Sequence, residues 1–85
     1  MSENINLEKY KLYLEDTPRL LLENANEIKK RKNKTHTNSK EREYLSGMLM
    51  AYLEVISLLR DQAISFQIDL DDIGLKDIDP ENDLY

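Results

Sequence analysis

The sequence predicts an all-α protein, an antiparallel helical hairpin that pairs with a second copy into a dimeric four-helix-type bundle. Its first arm is broken or kinked at Pro18 and its second arm is one long helix. Three observations carry this reading. Apolar residues recur every three or four positions over two long segments, the spacing of one helix face. The 85 residues include only two Gly and two Pro, too few turn residues for a multi-strand sandwich or barrel. The second segment also carries a wider apolar face than one neighbouring helix can cover.

In the first arm Leu7, Tyr10, Leu14, Leu21, Ala25 and Ile28 share one stripe, with Pro18 standing between Leu14 and Leu21. Proline lacks the amide that would bond back along the helix and disfavours helix at the residue before it. Two short helices are therefore expected, about 5–16 and 18–32, lying nearly end to end, with Asp16 or Thr17 capping the second. The polar stretch from Asn33 to Ser39 then forms a loop.

The second arm opens at Asn38 or Ser39, where Asn38 followed by Glu41 has the form of a capping box. From Tyr44 its apolar residues run through Leu45, Met48, Leu49, Tyr52, Val55, Ile56, Leu59, Ala63 and Phe66. At 100° per residue these, with Leu53 and Ile64, cover an arc of roughly 200°, about twice the stripe that a single contact buries. The expected dimer seam is drawn from this surplus: Leu45, Met48, Leu49, Tyr52, Leu53, Val55, Ile56 and Leu59. Tyr10 and Tyr52 lie on their arms' apolar stripes and are expected in the core or the seam. Gly47 either forms with Ala51, four residues on, a flat ledge for another backbone or is a tolerated glycine near the helix start.

Residues 1–68 make up the hairpin domain, and 69–85 an acidic strap docked on it by its aliphatic residues. Within the strap, Asp69 should cap a single turn that Gly74 closes in a left-handed conformation, bringing Leu70 and Leu75 together. Asp79 could cap a final turn. Asp69, Asp71 and Gly74 match three positions of a calcium loop, but Ile73 and Pro80 stand where further ligands belong, so the match fails.

Composition narrows the function. There is no Cys, and the single imidazole, His36, sits in a polar loop, so neither a disulfide, a structural zinc site nor a nucleophile and base pair is expected. With no glycine-rich phosphate loop and no paired carboxylates on an apolar helix face, the chain reads as non-catalytic, with no cofactor and no small-molecule ligand. The longest uncharged stretch is Tyr44 to Leu53, too short to cross a membrane, and no signal-peptide pattern opens the sequence, which makes the expected location cytoplasmic.

The net charge of −5 averages two unlike ends. Five of the six residues from Lys29 to Lys34 are basic, whereas eight carboxylates and one lysine lie between Asp61 and the last residue. Residues Lys30, Arg31 and Lys32 on one side, and Asp71, Asp72, Asp77 and Asp79 on the other, are the candidate partner-binding groups. The expected function is a homodimeric protein-protein interaction or regulatory module. One alternative is an acidic, antitoxin-like inhibitor of a basic partner. Another is a nucleic-acid binder using residues 29–34, disfavoured by overall acidity and by the absence of interleaved aromatics.

Overall fold

The computed structural model describes residues 2–79. Two helices, α1 (Ser2–Asn33) and α2 (Lys40–Ser65), pack against each other, and a single 3-10 turn, Leu70–Ile73, follows them. Among the described residues there is no strand. The expected turn after Asp79, together with Leu84 and Tyr85, lies outside the described residues.

The first arm corrects the expected break. Helix α1 runs through Pro18 without interruption. A proline inside a helix removes one hydrogen bond, here to the Leu14 carbonyl, but sixteen helical residues precede it and fifteen follow it. Pro18 is itself buried, so its ring adds apolar contact on the face turned to α2. On the exposed side Arg19 bridges Asp16 at 3.4 Å and Glu23 at 2.8 Å, tying together the two turns that flank the proline.

The start of α2 takes the second of the two expected openings, without the capping box. Ser39, and not Asn38, is the cap: its hydroxyl accepts from the Arg42 amide at 3.1 Å. That choice of cap places Arg42 rather than Glu41 at the third helical position, so no capping box forms. The Arg42 guanidinium reaches back across the loop, with Nη1 donating to the Lys32 carbonyl at 2.9 Å and to the Thr35 carbonyl at 3.4 Å. The Lys32 carbonyl also accepts from the Thr35 amide and hydroxyl. These bonds answer carbonyls at the end of α1 that have no intrahelical partner. The loop from Lys34 to Ser39 is therefore a tied corner.

Helix α2 ends in a Schellman motif. Gln67 adopts a left-handed φ of 59°, its amide donates to the Ile64 carbonyl at 3.1 Å, and the Ile68 amide donates to the Ala63 carbonyl at 2.8 Å. The turn after it repeats the device with glycine. The Asp69 carboxylate accepts from the Asp71 amide, Gly74 takes a φ of 74°, and the Leu75 amide donates to the Leu70 carbonyl at 2.9 Å. The two reversals carry Ile73 and Leu75 back into the core.

That core is small. It comprises Ala25 and Ile28 of α1, Leu45, Leu49, Ile56 and Ala63 of α2, and Ile73 and Leu75, with Leu21, Leu22, Met48, Tyr52, Leu59 and Leu70 packed around it. Leu7, Tyr10 and Leu14, expected on the buried stripe, are exposed. The reason is length. Helix α1 has 32 residues and α2 has 26, so the N-terminal turns of α1 run past the end of α2 and only the short turn reaches them. Tyr10 therefore belongs neither to the core nor to the α2 face.

Candidate functional site

The four buried residues of α2 (Leu45, Leu49, Ile56 and Ala63) occupy an arc of only about 40° at 100° per residue. The apolar surplus read from the sequence consequently stands on either side of them. Tyr44, Val55 and Leu58 are 66%, 44% and 58% exposed on one flank, where Met48 and Ala51 complete the row. Residues 44, 48, 51, 55 and 58 step by four, three, four and three, the spacing of a coiled-coil seam. The other flank holds Met50, Leu53 and Ile64 but is broken by Ser46, Ser57 and Arg60. The first flank is thus the continuous one.

The structure divides the residues expected in the seam. Leu45, Leu49 and Ile56 are 0% exposed, enclosed by the chain's own packing, and have no surface left to offer. Met48, Tyr52, Leu53 and Leu59 are half-buried, and Val55 is exposed. Sequence spacing alone could not separate these groups, because the wheel shows which residues are apolar but not which part of the arc α1 occupies. Tyr44 and Leu58 were missed for that reason, and the four-three spacing was the signal that could have found them. Gly47 has nothing within 4 Å of where a Cβ would stand, so no neighbouring backbone in the chain itself requires glycine there.

The charged candidates lie on the surface of the hairpin. Lys30 and Arg31 are exposed at the end of α1 beside the loop, and Lys32 is half-buried there. Asp71 and Asp72 are exposed in the short turn after α2, and Asp77 and Asp79 are exposed in the segment that follows Leu75. His36 lies exposed in the tied corner.

An open groove of about 740 Å³ lies where α1 overhangs, lined by Leu7, Tyr10, Lys11, Leu14, Ile68 and Asp72 among others. Arg19, between Glu23 and Asp16, has its pKa raised, chiefly by the Glu23 charge, which leaves an already permanent cation unchanged in function. The Arg60 Nε is buried with no hydrogen-bond partner among the described residues. No group of three His, Cys, Asp or Glu among the described residues is placed to hold a metal ion. No helix among them is long and apolar enough to cross a membrane.

No family model, curated protein or solved structure matches this chain. The exposed flank of α2 is the feature from which a function can be argued.

Proposed function

We propose that the chain is a non-catalytic interaction module that works as a homodimer, with the exposed flank of α2 at its centre. The observation that carries this reading is the thickness of the fold. The molecule measures 56 × 22 × 16 Å, one layer of two helices, whereas stable domains bury their apolar faces between two layers. Its radius of gyration is 15.5 Å, against about 12 Å for a compact domain of this length. Its accessible surface is 6615 Å². A folded monomer of this mass leaves roughly 5,200 Å², so the excess is larger than the about 800 Å² that each partner contributes to a standard interface. A second copy would supply the missing layer and cover the apolar row.

Sedimentation at micromolar concentration tests this directly, with a mass twice the 10.0 kDa of one chain as the expected result. Substituting Val55→Asp or Leu58→Asp should give a folded, helical monomer, because neither side chain belongs to the buried core. Ile56→Asp should instead unfold the chain, since it places a charge at a fully enclosed position. A monomeric native chain at high concentration would overturn the proposal.

A further inference from the structure

We infer that the groove beside the overhanging turns of α1 is a docking site for a cationic amphipathic helix of another protein. No residue of the α2 row from Tyr44 to Leu58 lines this groove, so it is a surface distinct from the proposed homodimer seam.

The shape comes from α1. Leu7, Tyr10, Lys11, Leu14 and Glu15 line the groove at i, i+3, i+4, i+7 and i+8, which is one face of a helix. Further along, the same stripe continues through Leu21, Ala25 and Ile28 into the core shared with α2. At the groove α2 has ended, and the opposite wall is only Ile68 and the short turn. The groove is therefore the open continuation of a helix-helix contact. A smaller hollow of about 120 Å³ shares Leu14, Ile68 and Ile73 with it and extends it to Pro18 and Phe66; apart from Gln62 its lining is apolar. From residue 7 to residue 18 the floor runs about 16 Å, or three helical turns. Tyr10 and Phe66, at its two ends, are 66% and 74% exposed. An apolar trough of this length, rimmed by charge, is what an amphipathic helix fills with side chains at three-and-four spacing.

The rim sets the sign of the occupant. Three lining carboxylates, Glu15, Asp71 and Asp72, stand against one amine, Lys11. None of the three has an ion-pair partner among the described residues. An occupant that covers the floor takes these carboxylates partly out of water, which is unfavourable unless it brings cations to them. An acidic occupant would meet like charge. Charge thus disfavours residues 80–85 of the chain itself, which carry Glu81 and Asp83 and no base, and equally disfavours the same groove of a second copy. Lysines or arginines flanking an apolar stripe meet both requirements, since their stems cover apolar surface while their heads reach the rim.

The probe is a fluorescent synthetic helix of about four turns, with leucine at three-and-four spacing and lysine elsewhere. Anisotropy should show it binding the native chain about tenfold more tightly than the same peptide with glutamate in place of lysine, and about tenfold more tightly than one of equal composition with its leucines scattered around the helix. Asp71→Lys together with Asp72→Lys should reverse the preference between the lysine and glutamate peptides. If circular dichroism shows that pair unfolded, Asp71→Asn with Asp72→Asn should still weaken the lysine peptide severalfold. Tyr10→Ala, at an exposed position, should weaken binding about tenfold, whereas Val55→Asp on the flank of α2 should leave it unchanged. No binding by the native chain, equal binding of the glutamate or the scattered peptide, or a loss with Val55→Asp in place of Tyr10→Ala would each overturn the inference. Self-association abolished by Tyr10→Ala would overturn it too, by placing a second copy in the groove. A native chain that binds the peptide while sedimenting as a monomer would support the inference and overturn the homodimer, so the two readings fail separately.

Discussion

Replacing Gln67 by glycine should stabilise the protein. Gln67 holds the left-handed position that ends α2, at φ 59°, and a residue with a Cβ in that conformation costs about 1 to 2 kcal/mol. Glycine removes that cost but loses about 0.5 to 1 kcal/mol through its freer unfolded state, so a net gain of about 0.5 to 1 kcal/mol is expected. No packing is lost, because the Gln67 side chain is exposed. For a domain of this size the gain corresponds to a rise in Tm of about 2 to 8 °C. Gly74 provides the mirror experiment. It has φ 74° and open space where a Cβ would stand, so Gly74→Ala changes backbone conformational energy without a clash and, with the same unfolded-state term regained, should cost a net of about 0.5 to 1 kcal/mol. Urea denaturation followed by helical circular dichroism, at one fixed protein concentration because association shifts apparent stability, measures both. A destabilised Gln67→Gly, or a Gly74→Ala variant as stable as the native chain, would refute the argument that these reversals are limited by backbone strain.

Four further substitutions test other parts of the fold. Arg42→Met removes the guanidinium from the Lys32 and Thr35 carbonyls and should cost about 1 to 2 kcal/mol in the same denaturation assay. Ile56→Ala, at a fully enclosed site, should cost about 2 to 5 kcal/mol, a large share of the stability of so small a domain, and be visible as a lowered urea midpoint. Pro18→Ala restores an amide inside α1 at the expense of a buried ring; the helix gain of about 3 kcal/mol outweighs the burial lost, and calorimetry should show a stabilised chain. Arg60→Met keeps the apolar stem while removing a buried donor without a partner, and should raise stability by about 1 kcal/mol in thermal melts.

The helical hairpin was legible because three-and-four spacing is a local property of each arm. The turn after α2 was legible for a similar reason: Asp69 and Gly74 stand at the positions that a capped, left-handed closure needs, and both take those roles. The break at Pro18 misled because proline's local cost is fixed by the chain, while its outcome depends on how much helix and packing flank it. Of the two adjacent cap candidates Ser39 takes the role, and Arg42, at the third position of the helix it caps, reaches across the corner to the Lys32 carbonyl. Gln67 carried no signal, since nothing in its chemistry announces a left-handed backbone.

By itself, then, the sequence determined the helical class, the two arms, the segregation of charge and the fact that α2 carries more apolar surface than one neighbour can cover. These follow from periodicity and composition along the chain. The tertiary structure decided how that surface is divided, enclosing Leu45, Leu49 and Ile56 and leaving Tyr44, Val55 and Leu58 exposed. Helical spacing defines a face only up to a rotation about the helix axis, and that rotation is set by where α1 and the closing turn pack.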